Sequence, residues 1–461
     1  MAFFVSVGLF CYFWIIGFAV QSVLYRHDDL IRTVLIAPAV GIVTTLYGNY
    51  LCSRVGFPVG AIAWPLAIVL LAASIIIMLW RRPALPGRRG IPYLLVLVLA
   101  FAASGWPLLF DGFAWLAHLN PDAANYILDT DRLVRLPFIG PPDADSWLNQ
   151  SDWGSYYVTY PLRGVRTGTD LLFAWVVSLL GYGEPSLFMP LIVALHVAAL
   201  AAATALVGTA YRFARLLSGA MLAVTALSSA GVELQLLGQE LGLVFLTLAS
   251  TLLLSPFYRL SCAAMARFVM LTSFVMAAFF ISYPEMLPFL GVGFLIYHGA
   301  GAKELSRYWR RYISTLVPIA VLSYLLIAPD VLPAISFLLG QARLSQAQML
   351  FPELFPYLLI PSGIGALWGL NSYIPGGVAL LGRDLAIGVG LALSVATAIG
   401  TLWLVWRREA CAALVVVMAL VAVVLATSNS GFGMFKLAMY AQPFLMVTMV
   451  LSLCRALRVA R

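Results

Sequence analysis

The sequence predicts an all-α, polytopic integral membrane protein of about 13 transmembrane helices with two long outer loops that carry surface helices. Three observations predict this fold class. Only 10% of the 461 residues are charged and 62% are hydrophobic, whereas soluble domains carry about 25% charged residues. Apolar runs of spanning length recur from end to end, for example 94–110, 187–207 and 437–453, each bounded by Arg, Pro or Gly. Basic residues gather in alternate connections between these runs. A soluble enzyme, a disordered chain and a coiled coil are excluded by the same figures. Five Cys in so long a chain also exclude a disulfide-framed domain, and they do not reveal a compartment.

Windows of roughly 20 residues place spans near 3–24, 33–50, 58–80, 92–110, 186–208, 216–232, 238–256, 268–283, 285–300, 313–329, 384–406, 410–427 and 435–453. The chain divides into three N-terminal transmembrane helices (1–91), a core (92–329) that includes an acidic outer loop (111–185), a second outer loop (330–383) and C-terminal transmembrane helices (384–461). Residues 1–20 lack a basic n-region and a small-residue cleavage motif, so they read as a membrane helix rather than a signal peptide. No appended soluble domain and no internal repeat of inverted transporter halves is expected.

Basic residues near span ends are retained in the cytoplasm. With the N-terminus outside, the inner loops hold 19 of the 27 basic residues, Arg81, Arg82, Arg88 and Arg89 among them, against 4 of the 19 acids, a net of +15. The outer face carries 8 basic and 15 acidic residues, a net of −7. The overall +8 is therefore the sum of two opposed faces, and it does not indicate a nucleic-acid partner.

The first outer loop holds nine of the outer acids: Asp111, Asp122, Asp129, Asp131, Asp143, Asp145, Asp152, Asp170 and Glu184. Long loops inside compact proteins are usually functional, so chemistry is expected there. Asn120-Pro121-Asp122 reads as a helix start, with Asn as cap, Pro in the first position and Asp at the positive end of the dipole. The helix over 121–136 sets Asp122, Tyr126 and Asp129 on one face at i, i+4 and i+7. A capping-box-like start at Thr167-Gly168-Thr169-Asp170 opens a second helix through 171–180, too short to span and expected along the membrane surface. In the second outer loop, 331–339 and 354–360 read as re-entrant or interfacial pieces broken by Pro333, Pro352, Pro356 and Pro361.

A span ending in Phe110-Asp111-Gly112, followed by an outer loop with surface helices and the run Asn120-Pro121-Asp122-Ala123-Ala124-Asn125-Tyr126, resembles the GT-C superfamily of membrane glycosyltransferases. Span 92–110 corresponds to that family's first helix, so this chain carries three additional helices before it. The resemblance implies transfer of a sugar from a polyprenyl-phosphate donor to a glycan or lipid acceptor at the outer face, in a bacterial inner (cell) membrane. A lipid-linked sugar donor and such an acceptor are then the expected partners, with no nucleic acid.

Glycosyl transfer from a lipid phosphate needs a base near the acceptor hydroxyl, and a carboxylate at the membrane boundary can have the raised pKa this role requires. Asp111 is at the right depth, with Asp122 its competitor; either one can equally cap or solvate a loop. The departing phosphate needs a cation, or a divalent metal ion held by carboxylates. Lys436 and Arg343 are the leading phosphate ligands, with Arg163 and Arg166 as alternatives; a lone Lys436 at a span end also fits snorkelling to headgroups. Tyr126 and Asp129 share the helix face of Asp122 and are candidate substrate-binding residues. Glu240 starts a span and Glu285 lies in a break between two others, so both are candidate substrate-binding residues; Glu240 has the better claim to a cavity, whereas Glu285 after Pro284 equally fits an exposed outer turn.

The aromatics Trp147, Trp153, Tyr156, Tyr157, Tyr160, Trp368 and Tyr373 suit sugar stacking, but an interfacial belt predicts the same residues. His27, His118, His196 and His298 form no zinc-like spacing with Cys or carboxylates, so no protein metal site is assigned. No Gly-rich phosphate loop occurs in a nucleotide-binding context. An O-antigen-type polysaccharide polymerase is the neighbouring alternative, although its loops would rely on Arg. A transporter or flippase of lipid-linked substrates would place its charges at mid-membrane rather than at the outer boundary.

Overall fold

The computed structural model describes residues 1–24, 29–117, 121–138, 166–208, 210–225, 227–344, 361–372 and 380–457. Among them all regular structure is helical. In chain order the helices are α1 (Ala2–Leu24), α2 (Leu30–Arg54), α3 (Val59–Arg81), α4 (Ile91–Gly105), the single turn α5 (Pro107–Phe110), α6 (Pro121–Arg135), α7 (Thr167–Leu180), α8 (Glu184–Thr204) and α9 (Arg212–Val224). They continue with the single turn α10 (Ala230–Glu233), then α11 (Leu237–Leu253), α12 (Cys262–Ser282), α13 (Leu287–Gly299), α14 (Ala302–Leu344), α15 (Ser362–Leu367), α16 (Arg383–Trp406), α17 (Ala410–Thr427) and α18 (Gly431–Ala456).

Ten of these helices, α1 to α3, α4 taken with the helical turn Gly87–Gly90 that leads into it, α8, α12, α14, α16, α17 and α18, are long and apolar enough to cross a membrane. Each falls on one of the thirteen predicted spans. The molecule is thus an all-α polytopic membrane protein. The other three predicted spans, 216–232, 238–256 and 285–300, appear as α9, α11 and α13, of 13, 17 and 13 residues. At 1.5 Å per residue these measure about 20 to 26 Å, less than the hydrocarbon thickness of about 30 Å. Local backbone accounts for the breaks. Gln235 has φ +55 just before α11, and Pro284 biases Tyr283 away from helical geometry, which leaves Tyr283 at φ −154, ψ 71.

α8 forms the centre of the bundle. Its whole apolar window is buried, against 17% for α3 and 22% for α16, as expected of a helix that is apolar on every side. The outer helices turn Trp64, Trp80, Leu94 and Leu325 outward. Lipid tails are as apolar as Leu, so close packing rather than the hydrophobic effect must hold the helices together. The α1–α2 pair shows how this is done. A Cβ at Gly17 would stand 1.8 Å from the Ala37 carbonyl oxygen, and one at Gly41 would stand 1.8 Å from that of Phe13. Only glycine admits this backbone approach at the two crossing positions.

Two expectations are corrected. The piece 331–339 is not a separate segment broken at Pro333: α14 continues through it to Leu344 beyond a bend at Ile327. α14 is bent at Ile327 (φ −132, ψ 15) beside Pro329, which has no N–H for the preceding turn. α2 holds this bend: Tyr47 donates to the Leu326 carbonyl (3.1 Å), and Tyr50 and Arg54 both bind the buried Asp330 carboxylate. The piece 354–360 lies outside the described residues.

The second correction concerns α7. It is buried throughout Thr167–Val177 instead of lying along the membrane surface, packed among α2, α3, α6 and α12. Its capping-box-like start is not formed either. Arg166 is the N-cap residue, left-handed at φ +54, with no side-chain cap.

Candidate functional site

The helix breaks admit polar backbone and side chains into the bundle, and at the acidic end they converge on Arg166. Its left-handed conformation turns the guanidinium away from α7 and toward the Tyr283–Glu285 break. Nε and Nη2 both donate to Oε1 of Glu285, at 3.1 and 2.7 Å, and Nη1 donates to the Tyr126 hydroxyl at 3.2 Å. The same guanidinium lies 4.7 Å from the centre of the Tyr283 ring, and Tyr283 shares a 2.9 Å hydroxyl contact with Tyr440 of α18. Burial by itself disfavours the Arg166 charge, but Tyr126 and Glu285 more than restore it and hold its pKa above the usual value. Glu285 is thus not an acid on an exposed turn: its side chain is 20% exposed and ion-paired.

α6 brings the predicted face of acids to this centre. Asp122 is half-buried, and Tyr126 and Asp129 are buried, so the i, i+4, i+7 stripe faces the protein. The Tyr126 hydroxyl reaches α11 at Gly238, where a Cβ would stand 2.4 Å from it. Burial pushes the Asp129 carboxyl up to about 7 despite the opposing charge of Arg132. Asp170, in the first turn of α7, is raised well above its usual value, first by burial and then by the negative charge of Asp129 across the α6–α7 contact. Oδ1 of each carboxylate has no hydrogen-bond partner among the described residues. Burial and, for Asp170, the neighbouring negative charge both favour the protonated forms.

Lys436, near the start of α18, lies in the electrostatic field of Arg166, Asp122 and Glu285 and sits 4.5 Å from the centre of the Phe432 ring. It faces the protein cluster, so snorkelling to headgroups does not describe it. Arg166, ranked behind Lys436 and Arg343 by sequence, is the cation at the centre. Arg343 falls on the last turns of α14. Arg163, His118, Asp143, Asp145, Asp152, Trp147, Trp153, Tyr156, Tyr157, Tyr160 and Tyr373 lie outside the described residues.

Two predicted residues fall elsewhere. Asp111 is exposed as the C-cap of α5, next to the outward-facing Phe110, and is not the floor of a cavity. Glu240 is fully buried on the side of α11 opposite Tyr126. Its Oε2 lies 3.3 Å from His196 Nδ1 on α8, and Oε1 abuts Gly231. His196, which the sequence left without a role, is therefore its partner. Trp368 packs in the core and donates to Ser394 at 2.8 Å, so it neither stacks on a sugar nor belongs to a belt.

Sequence could have singled out Asp170 and Arg166 from a charge pair spaced i, i+4 at the start of an apolar helix. It held no sign that Glu285, 119 positions from Arg166, completes the set. Among the described residues no group of three or more His, Cys, Asp or Glu side chains converges as a metal site would.

Fold and site together define an integral membrane protein with a buried, mixed-charge cluster at the acidic end of its bundle. Comparison with protein-family models, curated proteins and solved structures found no match.

Proposed function

We propose that the chain is a membrane glycosyltransferase of GT-C-like organisation, moving a sugar from a polyprenyl-phosphate donor to a glycan or lipid acceptor at the outer face of a bacterial cell membrane. The observation that carries this reading is the Asp129–Asp170 pair, two buried carboxylates with raised proton affinity, Asp129 beside Arg132 and Asp170 within the field of Arg166. A base poised near neutral pH suits proton abstraction from a hydroxyl. The cation Arg166 acts on Asp170, and Lys436 lies in the field of Arg166, Asp122 and Glu285; the two suit a phosphate leaving group.

In this mechanism the ionised member of the pair accepts the proton of the acceptor hydroxyl as its oxygen bonds to the anomeric carbon. The bond from that carbon to the phosphate oxygen breaks, and its electron pair departs on the polyprenyl phosphate. Arg166 and Lys436 counter the charge that develops there. Tyr126, held by Arg166, is a neutral donor for a sugar or phosphate oxygen.

The test is transfer activity in membranes containing Asp129→Asn, Asp170→Asn, Asp122→Asn or Asp111→Asn protein, supplied with a panel of undecaprenyl-phosphate-linked hexoses and pentoses. Losing the base is expected to cost about a hundredfold or more in rate for Asp129→Asn or Asp170→Asn, and Asp111→Asn is expected to retain most activity. Full transfer by both the Asp129 and Asp170 variants would overturn the assignment.

A further inference from the structure

At the opposite, basic end of the bundle a cavity of about 720 Å³ opens between the starts of three helices. Asp29 caps α2, the turn Gly87–Gly90 leads into α4, and α9 begins at Arg212. Helix N-termini carry partial positive charge, so three of them around one space favour an anion.

The side chains add to this. Arg215, fully buried at the back of the cavity, is already satisfied: it donates to the Val207 carbonyl from Nε (3.0 Å) and Nη2 (2.6 Å) and pairs with Asp29 at 2.6 Å. Asp29 is the only carboxylate among the described lining residues, and Arg215 consumes its charge. Arg88, Arg89 and Arg212 also line the cavity, are exposed, and form no ion pair among the described residues. Three guanidiniums therefore face the space with no balancing carboxylate among the described residues that line it.

The rest of the lining is apolar, with Leu85, Pro86, Pro92 and Leu216. From there α4 continues with Leu94, Leu95 and Val98 turned outward. A small hydrophilic anion would leave that apolar half unused. A phosphate attached to hydrocarbon would use both halves, and the volume is within the range of ligand pockets.

We propose that this cavity is a binding site for the phosphate headgroup of an anionic glycerophospholipid, clamped by Arg88, Arg89 and Arg212, with its glycerol and acyl chains lying along α4. Basic pockets between transmembrane helices at the cytoplasmic side are suited to such headgroups. The site is separate from the acidic-end cluster and does not depend on the transferase reading.

The full chain, purified in a neutral detergent, is titrated with phosphatidylglycerol, phosphatidylcholine and inorganic phosphate, with binding followed by native mass spectrometry and by thermal unfolding. Phosphatidylglycerol is expected to bind about tenfold or more tightly than phosphatidylcholine and to raise the unfolding temperature. The preference is expected to vanish in R88Q/R89Q/R212Q and to persist in K303Q/R307Q/R310Q, which removes three charges from the start of α14. If the first triple variant does not fold, R89Q and R212Q singly are each expected to weaken the preference severalfold. Equal binding of the two lipids, an unchanged preference in the cavity variants, or inorganic phosphate binding as tightly as phosphatidylglycerol would each overturn the proposal, the last by showing a free-phosphate site.

Discussion

Arg166 and Glu285, 119 positions apart, meet through two hydrogen bonds to a single carboxylate oxygen, Nε at 3.1 Å and Nη2 at 2.7 Å. The second oxygen of Glu285 has no partner among the described residues. The pair ties the start of α7 to the break between α12 and α13, and an open acceptor remains beside it for a donor on a substrate.

Removing Arg166 leaves Glu285 charged, largely buried and without its ion-pair partner. Arg166→Gln is expected to lower stability by about 2 kcal/mol, less than for a fully buried pair because each side chain is about one-fifth exposed. The double variant Arg166→Gln with Glu285→Gln is expected to recover part of that loss. Thermal unfolding in detergent of the four proteins in the cycle measures the coupling. Strictly additive losses would show that the pair does not interact.

The Asp129 carboxyl is held at about 7, above its ordinary 3.8. Its proton is therefore bound more tightly in the folded than in the unfolded chain. The stabilisation this brings is complete below about pH 4 and lost as pH rises through about 7. Asp129→Asn is expected to flatten that part of the stability curve, as read by unfolding temperature from pH 4 to 8. Activity is expected to run the other way, rising toward pH 7 and above as the base ionises, and a pH-rate profile checks this.

Gly238 leaves room for the Tyr126 hydroxyl. An alanine there would place its Cβ 2.4 Å from that oxygen, and the end of the tyrosine is the part free to give way. Gly238→Ala is expected to fold while shifting Tyr126 off Arg166, with transfer reduced on the order of tenfold. An unfolding temperature near wild type with lower activity would separate this effect from simple destabilisation.

The bend in α14 depends on α2. Tyr47→Phe removes the donor to the Leu326 carbonyl and is expected to cost about 1 kcal/mol. Asp330→Ala leaves Arg54 and Tyr50 without their shared acceptor and is expected to cost more, about 3 kcal/mol. Unfolding temperatures of the two variants rank these contributions, and the opposite order would show that the carboxylate is not what holds the bend.

The ten membrane-length helices, their order and the two oppositely charged ends of the bundle were determined by the sequence itself. Each depends on a local property, the length of an apolar run or the sign of the charges beside it. The stripe Asp122, Tyr126 and Asp129 was legible for the same reason, since helical spacing sets a face without reference to the rest of the chain. Burial was not legible. Residues 171–180 have the composition of a surface helix and also of a core helix, and packing among α2, α3, α6 and α12 made α7 the latter. That burial raised Asp170, and the packing of the other helices raised Asp129, paired Arg166 with Glu285 and Glu240 with His196, and left Asp111 exposed at the end of a turn. Proton affinity and ion pairing depend on which distant groups share a low-dielectric space, and only the tertiary structure decides that.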